Sequence, residues 1–318
     1  MRKSIQAAII LAGLFATAAR AEDWPAHLIK ATIPFGAGSA ADVLPRLVFD
    51  RLAIELGQPI VVENRAGAGG MIGTIQVAKA DPDGYTVLAT SSALVIAPGI
   101  FTNLSFDTKD LTSVLMMGAS ANVMIVPNAR PWKTVADLIA DAKAKPGSIS
   151  FGSPGVGSAV HISSEKFRLA AGIEAAHVPY RGGAEVVTDI LGGRIDFYFC
   201  PLATALPLIR EGQVRALLVS TAERVPELPD VPTPVDAGLK NAESEIWFGV
   251  FMPAKTPAAI VEKFHAAGQR VLNDPATLAA LKKLGVGTRP MTPAQMNELV
   301  QRETAANLDI IKAAGIHQ

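Results

Sequence analysis

The chain of 318 residues has one cysteine, Cys200, and five histidines. A lone thiol closes no internal disulfide, so an exported form must draw its stability from its core, and cysteine-based metal sites are excluded. The histidines at His27, His161, His177, His265 and His317 show no close ligand spacing such as H-E-x-x-H, and no metal is expected. Excess charge of either sign is also missing: Lys plus Arg and Asp plus Glu are 29 each. Loss of an N-terminal leader carrying Arg2, Lys3 and Arg20 would leave the chain slightly acidic, which argues against nucleic acid and against an anionic membrane surface. Past the N-terminus no segment is long and apolar enough to cross a bilayer. Charged residues make up only 18% against 49% hydrophobic ones, a balance that fits a well-buried globular protein.

The N-terminus itself reads as an export signal. Arg2 and Lys3 form a positive n-region, Ala7 to Ala19 is apolar apart from Thr17, and Ala19-Arg20-Ala21 fits a small-x-small cleavage site. Residues 1–21 are therefore expected to be a signal peptide cleaved near Ala21, and the protein is expected in the periplasm. What remains, roughly 300 residues, exceeds what one core usually serves, so two domains are expected. Short apolar runs alternate with helical ones, the rhythm of an α/β fold with parallel sheets and crossover helices. Strands are expected at Leu28 to Pro34, Ile60 to Val62, Thr86 to Thr90, Val123 to Val126, Ile149 to Phe151, His177 to Tyr180, Phe197 to Cys200, Ala216 to Ser220 and Trp247 to Phe251. A helix covers Val43 to Leu56, starting no earlier than about Ala41, because Pro45 fits only a first turn. Thr134 with Asp137, and Thr292-Pro293 with Gln295, read as capping boxes. The strand near Val123 leaves the first αβ block, and the run from Pro226 to Pro234 reads as a return. The first domain is thus expected to be discontinuous, 22–122 plus 222–318, with the second at 123–221.

Three glycine-rich loops lie between strands and helices. Gly36-Ala37-Gly38-Ser39-Ala40-Ala41 fits G-x-G-x-x-A, with Glu63 ending the next strand. This pattern suits a dinucleotide, any anion held by the free N–H groups of a helix start, or a turn with no ligand. Ser153 to Ser158 is the second loop; it lacks G-x-S-x-G, so it is not a nucleophile elbow, and Ser158 suits a helix cap as well as a ligand contact. In the third, Tyr180-Arg181-Gly182-Gly183-Ala184, Arg181 could pair with a carboxylate or with Asp196. Asp42 reads first as a structural carboxylate in the opening turn of its helix. His161 and His177 read as structural, and Trp24, Trp132 and Trp247 as packing residues. Cys200, at a strand end, is expected as a free thiol on or near a cleft wall. Spacing shows no Ser/His/Asp or paired-acid set, so no enzyme activity and no cofactor are expected. The runner-up is an exported nucleotide- or anion-binding enzyme using the G-x-G-x-x-A loop.

Longer motifs narrow this. Gln58-Pro59-Ile60-Val61-Val62-Glu63-Asn64-Arg65-Ala66-Gly67-Ala68-Gly69-Gly70 is followed by Ala78-Lys79-Ala80-Asp81-Pro82-Asp83-Gly84-Tyr85-Thr86. Further on come Val178-Pro179-Tyr180-Arg181-Gly182-Gly183, Leu191-Gly192-Gly193-Arg194-Ile195-Asp196 and Lys312-Ala313-Ala314-Gly315-Ile316. In these the chain resembles the extracytoplasmic solute receptors of the tripartite tricarboxylate transporters, the Bug receptors. The resemblance implies a two-lobed periplasmic-binding-protein fold of the Venus flytrap, type II-like kind. It also implies a monomer that captures a small organic carboxylate and passes it to membrane permease subunits. By the same resemblance the ligand contacts are Phe35, Gly38, Ser39, Ala40, Asp42, Ser153, Val156, Gly157, Ser158, Tyr180, Arg181, Gly182, Gly183 and Ala184; Ser91 and Cys200 are expected to join them. The chain departs from the family pattern at Ser39, Pro45 and Cys200, so the identity of the ligand is not inherited.

Overall fold

A computed structural model describes residues 24–101, 104–180 and 182–316. The expected signal peptide lies outside them, as does Arg181. The first lobe is built on a five-stranded sheet in the order β2-β1-β3-β10-β4. Strands β1 (Ile29–Ile33), β2 (Ile60–Asn64) and β3 (Thr86–Ser91) run parallel. Helices α1 (Ala40–Leu56) and α2 (Met71–Ala78) make the crossovers between them. Strand β10 (Ile246–Pro253) lies antiparallel to both β3 and β4 (Leu111–Ser120), so the sheet is mixed where the alternating pattern suggested a parallel one. Side chains of a strand alternate between faces. In β10, Phe248, Val250 and Met252 join one core with Ile29, Val48 and Phe264, while Trp247 and Phe251 join a second core with Leu88, Met116 and Leu299.

The second lobe holds β5 (Asn122–Pro127) between β8 (Tyr198–Pro201) and β9 (Val214–Val219), antiparallel to both. Beside them β6 (Ile149–Ser153) and β7 (Ala175–Pro179) form a parallel pair. Phe151, Phe167, Phe197 and Phe199 fill its core. Helices α3 (Ala93–Ile100) in the first lobe and α4 (Val135–Ala144), α5 (Ala159–Ala171), α6 (Gly183–Leu191) and α7 (Leu202–Arg210) in the second follow their strands. The C-terminal part adds α8 (Ala258–Asn273), α9 (Pro275–Lys283) and α10 (Pro293–Ala314) to the first lobe. The capping boxes at Thr134 and Thr292 are both formed.

The chain leaves the five-stranded sheet after β4, builds β5 to β9, and rejoins that sheet at β10, two passages between the sheets. Ser220 ties the two passages together: its Oγ accepts from the Asn122 N–H at 2.9 Å and donates to the Ser244 carbonyl at 2.7 Å. The proline-rich segment after 222 packs on the second core. Val225, Leu228, Val231 and Ala237 pack on the second core, and Leu239 and Ala242 are buried within it. Apolar packing changes hands only at Ile246, which touches both cores. Pro45 also departs from expectation. With Ser39 as N-cap, it falls at the sixth helical residue, beyond the first turn. The Ala41 carbonyl therefore loses the N–H donor four residues on, a local cost that the buried Leu44, Val48 and Phe49 offset by packing.

Candidate ligand-binding loops

Both candidate loops leave the carboxyl end of a strand and enter a helix, the usual place for a site in an α/β sheet. In the first lobe, Pro34 to Ser39 joins β1 to α1, with Gly38 at φ 81°. Asp42 holds this loop closed. Its Oδ2 accepts from the Gly38 N–H at 2.8 Å, and its Oδ1 accepts from Asn64 Nδ2 at 2.8 Å and Arg46 Nε at 2.9 Å. Asn64 also donates to the Phe35 carbonyl at 2.9 Å and accepts from Arg46 at 2.7 Å. Burial pushes the Asp42 carboxyl up, but the hydrogen bonds from Asn64, Gly38 and Arg46 outweigh it and hold the group below the ordinary carboxylate range. Both oxygens thus accept hydrogen bonds from within the loop and its neighbours, and Asp42 holds the loop in shape. Sequence reasoning missed Arg46 and Asn64. The i,i+4 spacing of Asp42 and Arg46 was the signal for one; nothing local points to the other.

In the second lobe, Ser153 to Ser158 joins β6 to α5. Ser158 caps α5, its hydroxyl accepting from the His161 N–H at 3.2 Å. Two stacked imidazoles support the loop from below. His161 and His177 have ring centroids 3.8 Å apart at 12°, and His177 stacks on Phe151 at 5.0 Å. Ser153 Oγ lies 2.7 Å from His177 Nε2, and the Gly157 N–H donates to His161 Nδ1 at 3.1 Å. That bond requires a neutral His161 with its proton on Nε2. Burial, then the neighbouring His177 and Arg168, pull the His161 pKa down to about 3; burial pulls His177 down to about 4. Both side chains are structural, as their surroundings demand.

The third loop lies against the second. The Tyr180 N–H donates to the Ser153 carbonyl at 2.9 Å, and its hydroxyl donates to Asp189 at 2.7 Å. Burial, then Asp189, pushes the Tyr180 phenol up to about 12. Gly182 caps α6, which starts at Gly183 and Ala184. Asp196, the alternative partner weighed for Arg181, is occupied by Arg130 at 2.6 Å and by the Ser150 N–H and hydroxyl. A chain of contacts joins the loops across the lobes: Phe35 borders Gly70, Phe101 borders Gly69, and Ile100 borders Gly157, where an added Cβ would run into its Cδ1. Ser91 ends β3, and its Oγ accepts from the Ala93 N–H at 3.4 Å. Cys200 departs from expectation. Its side chain has no exposed surface and belongs to the second lobe's core, because β8 turns it inward beside Val123; burial raises the thiol to about 12.

The two helix starts keep unspent donors. The first N–H groups of an α-helix have no intrahelical acceptor. In α1, the Asp42 and Val43 N–H groups return to the Ser39 carbonyl, and the first-turn N–H groups before them, which have no acceptor within the helix, face the loop. In α5, the cap takes the His161 N–H, leaving those of Ala159 and Val160. Each lobe thus offers a pair of backbone amides at the positive end of a helix dipole. Among the described residues, no group of three or more His, Cys, Asp or Glu could hold a metal ion.

A family model, the tripartite tricarboxylate transporter family receptor, matches residues 44–316. The chain belongs to this family. A Pseudomonas sp. strain P51 protein, known as the UPF0065 protein of the tcbD-tcbE intergenic region, is 34% identical over 95% of this chain and 91% of its own. The solved structure of R. palustris Rpa4515 with adipate is 32% identical, with a TM-score of 0.81 over 93% of this chain and all of that one. MatC from Rhodopseudomonas palustris, solved with bound malate, is 28% identical, with a TM-score of 0.76 over 91% of this chain and all of that one. The fold is accordingly that of the two-lobed solute receptors of tripartite tricarboxylate transporters.

Proposed function

We propose that this receptor captures a small organic carboxylate between the Phe35–Asp42 loop of one lobe and the Ser153–Ser158 loop of the other, and delivers it to a two-subunit membrane permease from the periplasm. The observation that carries the reading is the pair of amide-bearing helix starts, one per lobe, on loops with no charged side chain free to meet an anion: Asp42 is spent within its own loop. Each helix terminus favours an anion by roughly 0.3–1 kcal/mol, up to about 2 when partly buried. Charge-assisted hydrogen bonds add about 1.5–3 kcal/mol each. A dicarboxylate reaching from one helix start to the other engages both lobes and favours their closure. Adipate and malate in the two related structures are of this class. The nucleotide alternative loses its support. The Gly38 amide that would lie under a pyrophosphate is donated to Asp42, and Glu63, the acid intended for a ribose, is paired with Arg65. On this reading the protein is a monomeric, exported binding protein without catalysis or cofactor, its signal peptide removed near Ala21.

Calorimetry with linear dicarboxylates, hydroxy-acids and citrate tests this. A ligand at 100 times its Kd should raise stability by about 2.7 kcal/mol. Gly36→Val is the informative variant, because a Cβ at Gly36 meets nothing within 4 Å. It should leave the melting temperature in place while blocking approach to the α1 amides, weakening carboxylate binding at least tenfold. Binding of a nucleotide with no response to any carboxylate would reject the proposal.

A further inference from the structure

Beside the two passages between the lobes lies a cavity of about 730 Å³, within the roughly 300–1,000 Å³ range of small-molecule sites. The residues of the three loops do not line it, and of the amide-bearing residues at the helix starts only Ala159, the first residue of α5, does. One wall is a stripe of α5, Ala159, Ile162, Ser163 and Lys166, whose spacing places them on one helix face. Ser92, Glu303 and Asn307 of the first lobe also line it.

The charges around this cavity are unequally spent. Arg224 is bound to Asp236 and the Pro229 carbonyl, and Arg289 to Glu245. Lys166 uses one of its three donors, on the Glu243 carbonyl at 3.4 Å. Glu303 accepts one hydrogen bond, from the Trp247 indole at 2.7 Å. Burial lowers the Lys166 pKa and raises that of Glu303, and each opposes the shift of the other through its charge. They come from opposite lobes, yet no ion pair within 4.0 Å joins them among the described residues. Glu223 and Glu243 also line the cavity, and Glu243 acts on Lys166 as Glu303 does. A cation and an anion on opposite lobes, each with unspent hydrogen-bonding capacity, fit a molecule carrying both signs. Nearby, Ser92 is 4% exposed and its hydroxyl has no partner. Ile96, Ile162 and Val225 provide apolar wall for an aliphatic group.

We propose that this cavity is a second ligand site, which takes a small zwitterion of the α-amino-acid class with its carboxylate on Lys166 and its ammonium on Glu303. Occupancy joins the lobes through α5 and α10, the first of which also carries the carboxylate amides at its start.

Trp247 reports on the site directly, because its indole N–H is bonded to Glu303. In ¹⁵N-labelled protein, each standard L-amino acid is titrated in millimolar excess, with the Trp24 and Trp132 indoles as internal references. At least one aliphatic amino acid, L-leucine first, should move the Trp247 resonance saturably. Its deaminated and decarboxylated counterparts, 4-methylpentanoate and isopentylamine, should not. Lys166→Met and Glu303→Gln should each weaken the response at least tenfold; Glu303→Gln keeps an acceptor for the indole and serves if Lys166→Met fails to fold. Gly36→Val, altered only at the loop site, should leave the response unchanged. The proposal is overturned if no amino acid moves Trp247, if the single-charge analogues bind as well, if both variants respond as the native chain does, or if Gly36→Val abolishes the response and so places the ligand between the loops.

Discussion

Replacing Asp42 by alanine tests the central piece of the first loop. The carboxylate is 3% exposed and accepts three hydrogen bonds, from Gly38, Asn64 and Arg46. Without it the Gly38 N–H and one Asn64 donor lose their acceptor. An unsatisfied buried donor costs about 1–3 kcal/mol, but Gly38 is exposed and Asn64 half-buried, so water can meet them and the low end of that range applies. Breaking a fully buried ion pair costs about 3–5 kcal/mol, but the Arg46 side chain is 42% exposed and can turn to water, so the lower part of that range applies. The terms share one network and do not add. A net loss of about 3 kcal/mol is expected. For a chain of this size 1 kcal/mol moves the melting temperature by roughly 2–4 °C, so Asp42→Ala should melt about 6–12 °C lower in calorimetry. The effect must also depend on pH with a fixed sign. Folding lowers the Asp42 pKa, so its contribution is fully present above the ordinary value of 3.8 and is lost as pH falls through the lower folded value. The gap between native and variant should therefore be constant from neutral pH to about 5 and close below 3.8. A variant that melts within 1 °C of the native chain at neutral pH, or a gap that widens in acid, would refute the clasp.

The stacked histidines give the opposite titration range. With folded pKa values of about 3 for His161 and about 4 for His177 against 6.5 unfolded, the unfolded chain binds more protons throughout that window. Stability should thus be full above pH 6.5 and fall by on the order of 3 kcal/mol towards pH 4, a slope that His161→Gln should reduce in urea titrations; a flat native profile over this range would count against it. Cys200, without exposed surface and raised to about 12, should resist iodoacetamide at neutral pH until the chain is unfolded in urea; rapid native-state labelling would place the thiol on a wall of the cleft after all.

Much of the fold was legible because local signals agreed with it. Ser158 and the boxes at Thr134 and Thr292 carry their chemistry in three or four residues, and these helices begin where their caps stand. What stayed hidden depended on partners far along the chain. Strand β4 is buried on both faces and pairs with β10, which lies about 130 residues on, so it shows no alternation to read. Helices α3 and α7 contain Pro98 and Pro207, which local rules treat as stops. The run from Pro226 to Pro234 reads as an exit from the second lobe because of its prolines, but Leu228, Val231 and Leu239 give it an apolar side that the second core takes up.

The loops show the same limit at the level of single atoms. Composition pointed to Gly36–Ala41 and Ser153–Ser158, and their glycines suggested loops whose backbone a ligand could approach closely. The Gly38 and Gly157 amides are already spent, on Asp42 and His161. Gly38 and Gly157 are needed for another reason: their φ angles of 81° and 76° lie in the left-handed region, where a side chain is strained. At Gly157 a Cβ would also meet Ile100 across the lobes, so bulk there disturbs lobe packing before it touches any ligand. On the proposed reading, the donors for an anion are the first-turn amides of the two helices, such as Ala41, Ala159 and Val160, whose side chains carry no chemistry. A sequence can show that two loops are built from small residues; which amide is free follows only from what Asp42 and His161 do, and those partners are supplied by the helix that each loop enters.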